Sequence, residues 1–353
     1  MNIIHTADLH LGASLLGLDA VQSNMRKDEL TQTFLRLLDY AAAHGTDALL
    51  IVGDLFDNTH PTPALLREIS AAIAACPTQV FFVTGNHDDG VIFPAMPDNF
   101  HRFENGWRTY AFGDVTVTGA DWRFVGPGLN ELQLPEDRLN FLLLHGEVRR
   151  SVAVGKGQVD ISRLQNKHVD YLALGHLHGV TPFQPLDGRG GYRYSGCLEG
   201  HGFDECGEKG FIQIETDGRK IKQTFVPFAT RRYVECTVDV SGISSSAELE
   251  KKTRALLSNA GGRDGVKVLL KGDRAQDSAL RTDRLQRALS QTFFQTAVID
   301  ESIPSVDEQR YLREKSLKGE IVRLALEKVP DETERAQVLS LAFRALSGDD
   351  LDV

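Results

Sequence analysis

From Asn2 to about Thr230, short unbroken apolar runs alternate with stretches in which apolar residues recur every third or fourth position. The runs at 3–4, 49–52, 80–84, 141–144 and 171–174 have strand length and no polar alternation, so each predicts a strand covered on both faces. Residues 22–43 keep Leu30, Phe34, Leu37, Leu38 and Ala41 at helical spacing, and residues 63–75 do the same with Leu66, Ile69 and Ile73. Residues 107–112, 115–120 and the run around Phe124 read as plain strands of a second sheet. The glycine-rich stretch 188–227 reads as hairpins on 192–194, 210–215 and 221–226, the last pair turning at Asp217-Gly218. The pattern predicts an α/β fold over residues 1–230, a two-sheet sandwich flanked by helices.

The pattern changes near Ala229. Residues 233–240 alternate as a strand, and Ser245-Ser246-Ala247-Glu248 offers a capping-box start to a helix ending near Gly261. A strand at 266–270, a basic helix at 282–294 and a short strand at 297–299 complete a small α/β capping domain over residues 231–303. Residues 304–353 predict a C-terminal helical hairpin, 312–328 and 334–346, broken where Pro330 stops one helix and Asp331 caps the next. Leu317, Ile321, Leu324, Val338, Leu341, Phe343 and Leu346 give this hairpin an apolar face without a visible core of its own, which suggests either docking onto a partner or packing back onto the second domain.

Composition adds limits. With 353 residues and 41% hydrophobic content, a soluble chain of more than one core is expected. No basic leader precedes the first strand and no stretch of eighteen or so apolar residues occurs, so neither a signal peptide nor a membrane span is expected. Cys76, Cys197, Cys206 and Cys236 lack CxxC spacing, which fits a reducing cytoplasmic setting. The net charge of -10 is unevenly spread: residues 251–300 hold ten Lys/Arg against five Asp/Glu, and residues 301–353 hold eight against twelve. It therefore does not exclude a nucleic-acid partner.

The chemistry sits where the predicted strands end. The five termini carry Asp8-x-His10, Gly53-Asp54, Gly85-Asn86-His87-Asp88, His145 and Gly175-His176-Leu177-His178. Singly each is a common sequence accident. Together they supply carboxylate, amide oxygen and imidazole at one edge of an α/β layout, a donor mixture suited to manganese, iron or zinc and not to calcium.

In this order the five pieces resemble the calcineurin-like metallophosphoesterases, over most of residues 1–230. The resemblance implies a first metal held by Asp8, His10, Asp54 and His178, and a second held by Asp54, Asn86, His145 and His176. Asp54 would bridge the two divalent ions, expected to be manganese. It further implies in-line hydrolysis of a phosphoester, with Asp54 and His87 as catalytic residues and His87 contacting the phosphate or protonating the leaving oxygen. Asp88 is expected as a solvated turn residue, Asp57 has no assigned proton-transfer role, and His201 is expected in an exposed loop.

Within the superfamily, His5-Thr6-Ala7-Asp8-Leu9-His10-Leu11-Gly12, Gly53-Asp54-Leu55-Phe56-Asp57 and Tyr194-Ser195-Gly196 followed by Phe203-Asp204-Glu205 resemble the SbcD-like bacterial DNA repair nucleases. Residues 196–205 look most like the YhaO-like branch. That likeness implies DNA as substrate, an SMC-like coiled-coil ATPase bound through residues 304–353, and a second copy as partner. Arg149, Arg150, Lys156, Arg163 and Lys167, and the helix bearing Arg281, Arg284 and Arg287, are the cations available to track a backbone. Two other readings remain: a phosphodiesterase or phosphatase for small nucleotides or phosphoproteins, and a non-catalytic scaffold of the ATPase. The protein-phosphatase version is disfavoured because Asn58-Thr59 follows Asp57 in place of Arg-Gly.

Overall fold

Every residue of the strand Ala48–Val52 is buried, because its alternating side chains enter two different cores. Leu49 and Ile51 pack with Leu30, Phe34, Leu37, Ile69 and Ile73 of two helices. Ala48, Leu50 and Val52 pack with Phe141, Leu143, Tyr171 and Ala173 of a second sheet. An apolar run without polar alternation is the sequence signature of such two-sided burial. The computed structural model describes residues 1–15, 17–93, 97–104, 106–124, 128–150, 157–274 and 280–347. It divides into two compact units, Met1–Arg232 and Tyr233–Val353.

The first unit holds strands β1 (Asn2–Thr6), β2 (Ala48–Val52), β3 (Gln79–Val83), β4 (Phe100–Phe103), β5 (Arg108–Phe112), β6 (Val115–Gly119) and β7 (Leu139–His145). The pair β8 (Glu147–Arg149) and β9 (Gln158–Asp160) follows, then β10 (Tyr171–Gly175), β11 (Gln184–Pro185), β12 (Gly191–Tyr194), β13 (Gly210–Asp217) and β14 (Lys220–Pro227). Two six-stranded sheets result, ordered β14-β13-β1-β2-β3-β4 and β11-β12-β10-β7-β6-β5. Helix α1 (Ala20–Ala43) starts at a capping box, where the Asp19 carboxylate accepts the Gln22 N–H and the Gln22 side chain accepts the Asp19 N–H. Helix α2 (Pro63–Ala75) has Thr62 as its N-cap and Pro63 in its first turn. The outer face of the second sheet is closed by Leu129, Leu132, Ile161 and Leu164 against Leu142, Leu144, Leu172 and Leu174.

β1, β2 and β3 run parallel in the first sheet, and β7 and β10 run parallel in the second. The candidate residues lie just past the ends of these strands, or, for His145, on the last residue of β7, so they collect at one edge of the sandwich.

In the second unit, the parallel strands Tyr233–Asp239, Gly265–Lys271 and Gln295–Asp300 pack on helices Ser246–Leu256 and Thr282–Ser290 through Val238, Val266, Val268, Leu249, Leu285 and Leu289. Helices Glu308–Leu312, Leu317–Lys328 and Glu332–Ser347 follow. No described helix is long and apolar enough to cross a membrane.

Several local expectations are corrected. Phe124 lies in a turn, edge-on to Trp107, and not in a strand. The helix after Ser245 ends at Leu256, well short of Gly261, and the basic helix ends at Ser290. The helix expected over 312–328 begins only at Leu317, because a shorter helix ends at Leu312 and the Ser316 hydroxyl accepts the Gly319 N–H to start the new one. The terminal helices also have a small core of their own, Tyr311, Val322, Ala325, Leu339 and Phe343. Leu317, Leu324 and Leu341 nevertheless stay 65%, 49% and 48% exposed.

Candidate metal centre

The loops after β1 and β2 run side by side: Asp8 N–H donates to the Gly53 carbonyl, His10 N–H to Asp54 and Leu11 N–H to Leu55. Asp8, His10 and Asp54 adopt φ of 52°, 46° and 50°, and His176 adopts 105°. Non-glycine residues rarely occupy this left-handed region, at a cost of about 1–3 kcal/mol each. That strain is held by the buried strands on which the loops are mounted. Two glycines permit the close approach. A Cβ on Gly53 would stand 2.0 Å from His145 Nδ1, and one on Gly85 would stand 2.1 Å from Asp54 Oδ1.

The first donor group comprises Asp8, His10, His178 and Asp54. Asp8 is fully buried and accepts the His176 N–H at 2.9 and 3.0 Å on its two oxygens. His10 Nε2 lies 3.2 Å from His178 Nε2 and 3.8 Å from Asp54 Oδ2. His10 Nδ1 faces Asp57 Oδ1 at 3.3 Å, and His178 Nδ1 is hydrogen-bonded to Glu205. With both Nδ1 atoms turned to carboxylates, the two Nε2 atoms converge and are the nitrogens left to bind an ion.

The second group comprises Asp54, Asn86, His145 and His176. His145 Nδ1 lies 3.0 Å from the Val52 carbonyl, which can only accept, so Nδ1 carries a proton and Nε2 is the nitrogen left to face an ion. That Nε2 lies 3.1 Å from Asn86 Oδ1 and 3.3 Å from Asp54 Oδ2, and His176 Nδ1 lies 3.2 Å from Asn86 Oδ1. Asn86 and His176 are exposed, so this side opens to solvent.

Asp54 sits between the groups in a particular way. Its Oδ1 accepts the His87 N–H at 2.9 Å, while its Oδ2 faces both His145 and His10. Oδ2 is thus the oxygen that faces both donor groups.

The donor set fits cations. Ligands about 2.0–2.2 Å from one ion at right angles stand roughly 3 Å apart, which matches the spacing of these acceptor atoms. Buried carboxylates and bare imidazole nitrogens at that spacing repel one another unless positive charge lies among them. Protons supply it in the metal-free protein: burial alone would lower His145, but Asp54 and Asp8 raise its pKa to about 9. Burial would raise Asp54, but His145 and His10 lower it to about 2.

Asp8, His10, Asp54, Asn86, His145, His176 and His178 therefore stand around one centre. His87 lies beside it, 43% exposed, its Nδ1 bonded to the Asp57 carbonyl at 2.8 Å and its ring 4.7 Å from that of His10.

Four expectations change. Asp88 is fully buried and is no solvated turn residue: it accepts the N–H groups of Leu55, Phe56 and Gly85, tying the loop after β2 to the loop after β3. Burial is the main reason its pKa rises to about 6. His201 is not in an exposed loop, since its side chain is only 12% exposed and its ring lies 5.1 Å from His10. Asp57 acquires a contact to His10, and that hydrogen bond holds its carboxyl below the usual range. The basic cluster is thinned, with Arg149 on Glu147, Arg163 on Asp160 and Lys167 on the carbonyls of Asn130 and Leu132, and Lys156 lies outside the described residues. Glu205 was missed as a site residue; its only signal in the sequence is an acid in the motif after Gly196.

Residues 1–180 match the calcineurin-like phosphoesterase family. The chain belongs to the calcineurin-like phosphoesterases. Members hydrolyse phosphoester bonds with two divalent ions, and the two-sheet α/β architecture is that of the family. Solved structures similar to this calcineurin-like chain include a dimetal phosphatase from Danio rerio, at 10% identity and a TM-score of 0.44 over 63% of this chain and 98% of that one. A purple acid phosphatase from yellow lupin seeds matches at 14% identity and a TM-score of 0.39, over 64% and 49% of the two chains. Vps29 from Entamoeba histolytica complexed with zinc matches at 14% and 0.32, over 65% and 99%.

Proposed function

We propose that this phosphoesterase is a manganese-dependent DNA nuclease of the SbcD-like kind, acting in the cytoplasm in DNA repair with an SMC-like coiled-coil ATPase. The observation that carries the reading is the conjunction of the five ligand motifs, in SbcD-like form, with a second unit whose terminal helices keep Leu317, Leu324 and Leu341 exposed. A minimal enzyme for small substrates has no need of that unit, whereas a long helical partner can cover the apolar face.

The chain's own residues divide the work. Asp8, His10 and His178 would hold one ion, Asn86, His145 and His176 the other, and Asp54 both. When bound, the ions activate the nucleophile and neutralise charge on the nonbridging phosphate oxygens. His87, tied through Nδ1 to the Asp57 carbonyl and 43% exposed at the rim, is placed to contact the phosphate or to give a proton to the leaving oxygen.

A second reading, a phosphodiesterase or phosphatase for small substrates, is favoured by the pairing of Arg149 and Arg163 with local acids, which leaves fewer cations to follow a DNA backbone. Purified protein with manganese, given a labelled duplex, a single strand, a cyclic nucleotide and a generic phosphodiester, separates the two. Turnover of DNA supports the nuclease, and turnover of the small compounds alone refutes it.

A further inference from the structure

Glu205 stands behind the first donor group, 9% exposed, and nothing in the chemistry above uses it. Its carboxylate collects four donors. Oε1 accepts the Nδ1–H of His178, and Oε2 accepts the backbone N–H of His201 at 2.9 Å and the Cys197 thiol at 3.2 Å. His201 Nδ1 lies 2.9 Å from Oε2 and 3.1 Å from Oε1. The segment carrying these groups is itself anchored: Glu199, 2% exposed, accepts from Arg26, the Thr33 hydroxyl and the N–H groups of Thr230 and Arg231. A carboxylate with every lone-pair direction engaged on an anchored segment has little freedom to turn.

An imidazole binds a metal through the nitrogen that lacks the proton, and the partner of the other nitrogen decides which that is. We propose that Glu205 is a positioning residue of the metal centre. It selects the Nδ1–H tautomer of His178 and fixes the ring so that the Nε2 lone pair points toward His10 and the first ion. His201 acts as a strut: its backbone and ring N–H groups hold Glu205, and it is not an eighth ligand. The inference rests on the dimetal reading of the site and is independent of whether DNA is the substrate.

Two measurements test it. In long-range 1H–15N spectra of the metal-free protein, His178 is expected as the Nδ1–H tautomer; Glu205→Gln, which keeps one acceptor oxygen, turns an NH2 toward the remaining donors and removes the negative charge, should mix the tautomers. In manganese titration calorimetry, Glu205→Gln should weaken one of the two ions by about tenfold to a hundredfold and leave the other nearly unchanged. Glu205→Asp should recover part of the loss. His201→Phe should lose less than Glu205→Gln. Retention of the tautomer and both affinities in Glu205→Gln would overturn the proposal, as would equal loss of both ions together with unfolding. A larger loss in His201→Phe would make His201 a ligand and overturn its assignment as a strut. Wild-type protein binding fewer than two ions would instead contradict the dimetal reading, while the wild-type spectra test the tautomer separately.

Discussion

His10 Nε2 lies 3.2 Å from His178 Nε2, and each ring turns its Nδ1 to a different carboxylate, Asp57 or Glu205. Both imidazoles are thus oriented from behind to direct lone pairs at one point. On the other side of Asp54, His145 is oriented by a neutral carbonyl, that of Val52. The two halves of the centre are built by different means, and this makes their responses to substitution separable.

Asp57→Ala removes the anion facing His10 Nδ1 and frees that ring to take the other tautomer. Affinity for one manganese ion should fall by about tenfold or more, the usual scale for a partner behind a metal ligand. Calorimetry reading two unchanged affinities would show that the 3.3 Å approach to Asp57 does not position His10.

Proton competition gives the second ion a predictable pH dependence. Metal-free His145 titrates at about 9, raised by Asp54 and Asp8 against the lowering effect of its burial. Below that pH the ion must displace a proton from Nε2, so its affinity should rise about tenfold per pH unit from 7 to 9 and flatten above. An affinity flat across that interval would contradict the assignment of His145 as a ligand.

His87 binds no ion in this account and lies at the rim, 43% exposed, with its ring beside that of His10. His87→Ala should retain both ions by calorimetry and lose about a hundredfold or more in turnover of a phosphodiester. Unchanged turnover would remove it from the mechanism.

Asp88 joins two ligand loops through three backbone donors, Leu55, Phe56 and Gly85. Asp88→Ala strands those buried N–H groups, at roughly 1–3 kcal/mol apiece before relaxation. The first unit should melt at least about 5 °C lower, on the scale of a domain of this size. Differential scanning calorimetry showing no shift would mean that the loops are joined by other contacts.

On the terminal helices, Leu324→Asp combined with Leu341→Asp changes exposed positions and spares the small core of Tyr311, Val322, Ala325, Leu339 and Phe343. Binding to the proposed coiled-coil ATPase in a pull-down should be lost, with the melting temperature and generic phosphodiesterase activity retained. Retained binding would refute the docking role.

The sandwich and the convergence of the candidate residues were legible because their signals are local. Two-sided burial writes itself as an unbroken run such as 49–52, and a ligand one or two residues past a strand end is carried to the same edge as its neighbours. Asp88, Glu205 and His201 were illegible for the opposite reason. Asp88 looks like a solvated turn acid until the loop 33 residues earlier supplies two of its three donors. Glu205 meets His178 across 27 residues and lies in the irregular stretch after β12, where no periodicity tells which way a side chain points. The helix break at 313–316 was hidden because apolar spacing continues across it, while Ser316, an ordinary polar residue in sequence, caps a new helix. Charge was misleading in a related way: Arg149 and Arg163 count as free cations in a composition, yet Glu147 and Asp160 lie beside them in the fold.

The dinuclear centre bridged by Asp54 is tested most directly by crystals grown with manganese and measured at its absorption edge. The anomalous difference map should contain two peaks about 3.5–4 Å apart flanking Asp54 Oδ2, one beside His10 and His178 and the other beside Asn86, His145 and His176. A single peak, or peaks placed away from Asp54, would contradict the account.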